Sequence, residues 1–424
     1  MTTVTPSSLP LAWISRDAWL IITARSLRSF AQTSVAILLA VYLNLLGFSL
    51  LQTGIFISLG LAGSTFFSFL VVLFGEVIGR RVLMVGFTVL SGVTGVALAL
   101  TDQYVLLAFT SFVGAFNVIG GGPTGPVQPL ERASLAQSVD PSKRTDLFAI
   151  FQIAAMVSRA LGVLAVSLPL LYQSLFDMSE VDSMKVMFAI YAAASMIAGG
   201  IYALLSPSSE APVRTRGWTN PFTLPSRRLI FSMSALFSLD SFGTRFVIQS
   251  FVAFWFVEEF GVDLKGLTGI FFISTMLSAT SAWIAAKLAN RFGLVNVIVF
   301  THVPAVLAVT AIPFMPNAAL AIAVWFVRAF FSQMDGPTKQ SYTMAVVGSE
   351  ERVALAGVSQ LGQSGLGAAA PPAAGILWES LWVGAPFVAS GVFKTLYLIG
   401  FYFMFRNVRP PEEEKARVRD HTAR

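Results

Sequence analysis

SPSSEAPVRTRGWTNPFTLPSRR, residues 206–228, is the longest polar stretch within a chain of 424 residues. It is rich in Pro, Ser and Arg, falls near the midpoint, and reads as a linker. On either side the chain consists of apolar runs with polar or Gly/Pro breaks. Before the linker they lie at about 18–47, 50–75, 82–101, 104–130, 146–175 and 184–205. After it they lie at about 228–258, 264–289, 294–314, 317–346, 352–377 and 380–406. Crossing a bilayer takes ~20 mostly apolar residues per helix, and most of these runs are long enough. The expected fold is an all-α integral membrane protein of twelve transmembrane helices. The expected organisation is a six-helix bundle over 1–205, a cytoplasmic linker over 206–227, a second six-helix bundle over 228–406 and a cytoplasmic tail over 407–424.

Composition points the same way. Hydrophobic residues make up 55% of the chain and charged residues 12%, with a mean hydropathy of +0.73. A soluble domain carries about 25% charged residues. A disordered chain, a nucleic-acid binder and an ordinary soluble enzyme are therefore excluded. Cysteine is absent and only His302 and His421 supply imidazole, so disulfides, thiol chemistry and a zinc or other metal site are not expected. The first residues, MTTVTPSSLPLAWISRDAW, show no basic segment or cleavage pattern of a secretory leader.

The net charge of +6 is explained by position. Arg80, Arg81, Lys143, Arg144, Arg214, Arg216, Arg227, Arg228, Arg291, Arg352 and the tail from Arg406 fall in one alternate set of loops. The other set carries Asp102, Asp177, Glu180, Asp182, Glu258, Glu259, Asp263 and Glu379, with only Lys185 and Lys265 opposing them. This is the positive-inside asymmetry, and it places both termini in the cytoplasm.

The two halves resemble each other. Leu27-Arg28-Ser29-Phe30 matches Leu239-Asp240-Ser241-Phe242, Thr53-Gly54-Ile55-Phe56 matches Thr268-Gly269-Ile270-Phe271, and Gly125-Pro126 matches Gly336-Pro337. The loop segments Glu76-Val77-Ile78-Gly79 and Asn290-Arg291-Phe292-Gly293 also align, and Arg144 and Gln152 correspond to Arg352 and Gln360. Matches in constant order imply an internal duplication in parallel orientation. Such repeats of six helices characterise transporters, with a solute site expected near mid-membrane.

With these features, the chain resembles the major facilitator superfamily along nearly its whole length. FGEVIGRR, Phe74 to Arg81, is similar to the family's loop between its second and third helices. Glu76 stands at the acidic position, and Gly79, Arg80 and Arg81 match; Val72 and Val77 depart. The resemblance implies a gating role for Glu76, Gly79, Arg80 and Arg81, with the acid latching the cytoplasmic side shut. Helix 4 has Asn117 and no Arg before Glu131, and helix 5 lacks the glycine-rich run of the drug antiporters. The blocks Pro129–Gln137 and Met334–Gly375 are similar to a prokaryotic subgroup of transporters and permeases of unassigned substrate.

Charge inside a membrane helix costs ~2.5–3.5 kcal/mol on insertion scales, so such residues normally face the interior and pair. Arg25, Arg28 and Gln32 share one helix face and form a polar or cationic wall suited to an anionic group. Arg28 and Asp240 hold matching repeat positions with opposite charge and are expected to pair. Arg328 and Asp335 are two turns apart, with Lys339 one turn beyond Asp335. Gln152 and Gln360 can hydrogen-bond a solute or join helices. Glu131, beside Arg132, reads as a gate at a helix end or a loop ion pair. Trp255 and Tyr42 are candidates to stack on a solute, and His302 reads as structural. GGGPTG, residues 120–125, lacks the Gly-Lys-Ser/Thr of a nucleotide loop.

The expected function is secondary active transport of a small solute by alternating access, as proton-coupled efflux. The direction is what the resemblance implies. The alternatives are proton-coupled uptake of a polar or anionic solute and a transport-inactive scaffold or sensor. An enzyme is not expected, nor a cofactor. The expected partners are the solute, protons and the lipid bilayer, with no nucleic acid, in a monomer of the cell's inner membrane.

Overall fold

The computed structural model describes residues 13–116, 125–139, 144–206, 224–292, 294–332, 334, 339, 342–343, 346–347 and 351–406. The first half holds α1 (Arg16–Leu45), α2 (Leu50–Ile78), α3 (Arg80–Leu100), α4 (Tyr104–Val113), α5 (Val127–Gln137), α6 (Arg144–Leu164), α7 (Leu168–Phe176) and α8 (Glu180–Ala203). The second holds α9 (Arg227–Arg245), α10 (Gln249–Phe260), α11 (Leu264–Phe292), α12 (Leu294–Ala311), α13 (Ala318–Phe331), α14 (Arg352–Ala368), α15 (Ala370–Ser380) and α16 (Ala385–Phe405). Every apolar run of the sequence carries helix. Among the described residues, 7 spans are long and apolar enough to cross a membrane unaided.

Several runs are interrupted where a single helix was expected. In 104–130, α4 ends at Val113, and Ala115 takes φ +49°, a left-handed conformation that costs a non-glycine residue energy. Carbonyls at this end receive donors from α3: Ser91 Oγ donates to Gly114 O at 2.8 Å and Thr94 Oγ1 to Thr110 O at 2.6 Å. In 228–258 the helix stops at Arg245 and restarts at Gln249, with Ile248 extended at ψ 156°. In 352–377, Pro371 and Pro372 follow Ala369, which joins α14 to α15. Proline donates no amide hydrogen bond, and both prolines sit in the first turn of α15, where none is required.

The surface is apolar where the helices face outward. Leu100 and Val105 are each 80% exposed and Phe109 62%. Water would penalise that surface and lipid would not. The protein is a multi-pass helical membrane protein.

Two compact units emerge: residues 1–36 with 59–215, and residues 37–58 with 216–424. The hairpin formed by the end of α1 and the start of α2 thus groups with the second unit, where the sequence placed it with the first. In the first unit α3 packs along α8, with Gly92 and Gly95 admitting Met196 and Tyr191. Met84, Phe87, Leu130, Phe151 and Tyr202 belong to its core. In the second unit α9 packs along α14, where the Ser234 and Ser359 hydroxyls meet at 2.8 Å, and α12 along α16. Ile230, Phe237, Ile298, Tyr397 and Phe401 belong to its core.

The small residues of 362–375 serve close approach. A Cβ on Gly375 would lie 2.6 Å from the Leu51 Cα, and one on Gly54 2.4 Å from the Pro371 carbonyl oxygen. Ser58 Oγ donates to Ala368 O at 2.5 Å, and Leu51 N to Glu379 Oε1 at 2.9 Å. Gly375→Val should therefore force the hairpin off α15, at a cost of about 1–3 kcal/mol. A lowered melting temperature of the purified protein, with Gly365→Ala as the tolerated control, checks this; Gly365 has open space where its Cβ would go.

Candidate functional site

Arg25 and Arg28 stand three residues apart on α1 and so face one side. Across from them is Glu131 on α5, with no exposed surface. Arg25 Nη1 donates to Glu131 Oε2 at 2.9 Å and Arg28 Nη1 to Oε1 at 3.1 Å. The Tyr202 hydroxyl of α8 donates to the same Oε1 and lies 3.4 Å from Arg28 Nη1. The Arg25 guanidinium sits 5.4 Å from the Phe151 ring centre. Arg159 on α6 is close enough to Arg25 for their charges to interact. A carboxylate with this many donors tolerates burial. Removing one partner of such a pair strands the other, typically at about 3–5 kcal/mol.

The second unit has its own cluster. Asp240 on α9 accepts from Lys339 Nζ at 2.6 Å and from Lys394 Nζ of α16 at 3.1 Å. His302 Nε2 on α12 lies 3.2 Å from Lys394 Nζ and 3.7 Å from Asp240 Oδ1. Lys339 also lies 4.8 Å from the Tyr397 ring centre.

These clusters correct one expectation. The pairing of Arg28 with Asp240 assumed that either charge alone would be stranded. Instead Arg28 is matched by Glu131 and Asp240 by two lysines, each inside its own unit. Lys339, read one turn beyond Asp335, reaches Asp240. Glu131, read as a helix-end gate or a loop ion pair, is buried and ion-paired with Arg25 and Arg28, while neighbouring Arg132 is exposed. Trp255 and Tyr42 are 1% and 0% exposed. Trp255 is packed among Phe256, Phe260 and Phe387.

The remaining candidates are dispersed. Gln32 is buried on the Arg28 face. Gln152 is exposed on α6; Gln360 is exposed on α14 and donates to Ser364 Oγ at 3.1 Å. Arg328 lies over the Trp325 ring at 4.4 Å, a cation–π contact. Asp335 lies outside the described residues. Glu76 is within α2, but its side chain is likewise outside them. Gly79 turns the chain between α2 and α3 at φ +93°, which favours glycine. Arg80 is buried and donates to Gln137 Oε1 at 3.0 Å, and Arg81 is half-buried.

Lys394 and Tyr202 escaped the sequence reading. Lys394 was detectable, since it is the only charge in the run 381–405. The tyrosine was not, because a hydroxyl inside an apolar run leaves no pattern.

This architecture defines a multi-pass helical membrane protein whose two units each hold an ionic cluster, buried in the first and part-buried in the second. The family model described as Major Facilitator Superfamily matches residues 21–369. The chain belongs to the Major Facilitator Superfamily, and is a transmembrane transporter. It is 22% identical over 410 residues to an uncharacterized membrane protein of Saccharomyces cerevisiae, covering 89% of this chain and 91% of that one. Solved structures share the fold. A bacterial homolog of the human lysosomal transporter Spinster, inward-facing and unoccupied, aligns at a TM-score of 0.70 and 15% identity, covering 95% of this chain and 98% of its own. The nucleoside transporter NupG aligns at 0.72 and 15%, covering 92% and 99%. A D-xylose–proton symporter aligns at 0.67 and 15%, covering 92% and 97%.

A direct consequence concerns Asp240. Asp240→Asn should destabilise the protein by leaving Lys339 and Lys394 facing each other, and adding Lys394→Met should restore part of the loss. A double-mutant cycle on thermal stability should show coupling of about 0.5–3 kcal/mol. Additive losses would mean that the two side chains do not interact.

Proposed function

We propose that the protein moves a small anionic solute by proton-coupled alternating access. The observation that carries this reading is the sharing of one buried carboxylate, Glu131, by Arg25 and Arg28. Basic groups outnumber acids in the middle of the described helices of both units. Glu131 faces Arg25 and Arg28, and Asp240 faces Lys339 and Lys394. Arg245 and Arg328 add further positive charge, the former 3.4 Å from the Ser364 carbonyl. Buried positive charge of this kind favours an anion as cargo.

The same sharing supplies coupling. A solute anion that takes the Arg25 and Arg28 donors leaves Glu131 without compensation in a low dielectric. Glu131 then lowers its energy by accepting a proton. Solute and proton thereby bind together, and the linkage is reciprocal.

Direction follows from the membrane potential. An inside-negative potential opposes entry of an anion by about 2.3 kcal/mol per charge per 100 mV. Proton symport removes that barrier, which favours uptake over the efflux implied by the resemblance. We place the protein in the cell's inner membrane with both termini cytoplasmic, on the loop charges. Its kinship with the prokaryotic subgroup rests on the blocks 129–137 and 334–375.

Proteoliposomes tested with labelled lactate, succinate, benzoate and phosphate, with a neutral sugar as control, decide the matter. At least one anion should accumulate when the outside is acid. Glu131→Gln, which mimics the protonated acid, should abolish accumulation and retain solute-for-solute exchange. Anion transport indifferent to the pH gradient, or accumulation surviving Glu131→Gln, would sink the reading. Reporter fusions at the linker and the tail should both report the cytoplasmic side.

A further inference from the structure

Arg25 and Arg28 share Glu131, and Lys339 and Lys394 share Asp240. Arg245 reaches the Ser364 carbonyl at 3.4 Å. Arg328 departs from this pattern. Among the described residues its guanidinium makes no ion pair and no hydrogen bond, and lies 4.4 Å over the Trp325 ring. It stands ten residues beyond Ala318, the first residue of α13. At 1.5 Å per residue that is ~15 Å along the axis, half of the ~30 Å hydrocarbon core. This is the depth at which a charge without a partner is least tolerated.

The side chain does not turn to the lipid. Ala321, Trp325, Arg328 and Ser332 are spaced by four, three and four residues and share one helix face, on which Ala321 and Trp325 are buried. Leu320, Ala323 and Val327, on the other side of α13, are exposed. Arg328 itself is half-buried, so the surface it keeps belongs to the protein interior. Its support is fixed by the neighbouring helix. Trp325 Nε1 donates to Ser274 Oγ of α11 at 2.8 Å, and the Phe271 ring meets the indole edge-on at 6.0 Å between centres. Ser278 Oγ donates to the Ala329 carbonyl at 3.0 Å and ties the same two helices. A guanidinium held over an aromatic face keeps its in-plane N–H groups free to donate.

We propose that Arg328, positioned by Trp325, anchors a carboxylate of the transported solute within the second unit. The fork of parallel N–H groups matches the two oxygens of a carboxylate. A single guanidinium, with no second cation joined to it, matches one negative charge, which favours a carboxylate over dianionic phosphate. The empty site holds an uncompensated charge, and the arriving carboxylate supplies the counter-charge together with two charge-assisted hydrogen bonds. Because α11 already fixes the indole, little ordering is left to oppose binding. Trp325 is a positioning residue: it touches the arginine and not the solute. The inference rests on the reading that the solute is an anion, and it does not depend on Glu131 as the proton acceptor.

The melting temperature of the purified full-length protein is measured against rising benzoate, lactate, succinate and inorganic phosphate, since a ligand that binds only the native state raises it. At least one carboxylate should raise it, and phosphate should not. Arg328→Lys keeps the charge and loses the fork. It should raise the half-saturating concentration of that carboxylate at least about tenfold, as expected for lost hydrogen bonds between charged groups. Trp325→Phe and Trp325→Leu both lose the bond to Ser274, but only phenylalanine keeps a ring beneath the guanidinium. Affinity should therefore be about twofold to thirtyfold weaker in the leucine variant than in the phenylalanine one. Without ligand, Arg328→Gln should melt no lower than the wild type, because it strands no partner. Carboxylate affinity unchanged in Arg328→Lys and Arg328→Gln would overturn the anchor and leave the anion reading standing. A ligand-free Arg328→Gln that melts well below the wild type would do the same, by showing a structural role. A response to phosphate alone would overturn the carboxylate assignment. No response to any of the four anions would overturn the anchor together with the anion reading.

Discussion

Hydrocarbon solvates neither a backbone amide nor a charge, and the rest of this structure follows from that constraint. Each interrupted helix has its loose ends met locally. The hydroxyls of Ser91 and Thr94 cover carbonyls beside the break in helix 4. Ser58 covers the carbonyl of Ala368 where α14 ends. Glycines at 54, 92, 95 and 375 let backbones approach, because dispersion and close packing, not water exclusion, hold helices together in lipid.

The same constraint governs the ionic clusters. A carboxylate at 0% exposure survives because two guanidinium groups and a phenol point at it. Asp240 survives because two ammonium groups do the same. The duplication placed Arg28 and Asp240 at the same point of the repeat with opposite sign. Each half then built its own neutralising shell from helices later in that half. The polarity is inverted while the design is kept: one acid, two bases and a buried tyrosine beside them, Tyr202 in one unit and Tyr397 in the other. An arrangement of this kind is responsive, because a solute that draws away one partner changes the protonation energy of the one left behind.

The sequence by itself determined the membrane class, the twelve runs, the duplication and the loop asymmetry. Apolar length, polar breaks and charge position are local quantities, and the bilayer reads them segment by segment. It also picked out Arg25, Arg28, Glu131, Asp240 and Lys339, because a charge within an apolar run is conspicuous. Only the tertiary structure decided who meets whom. Arg25 and Glu131 are 106 positions apart and Asp240 and Lys394 are 154 apart, distances over which no periodicity carries information. The repeat suggested pairing Arg28 with Asp240, but symmetry identifies equivalent positions and not neighbours. The breaks near Ala115 and Ile248 were equally hidden. They arise from how α3, α8 and α14 pack against their partners, and that packing is settled by shape complementarity summed over the whole bundle.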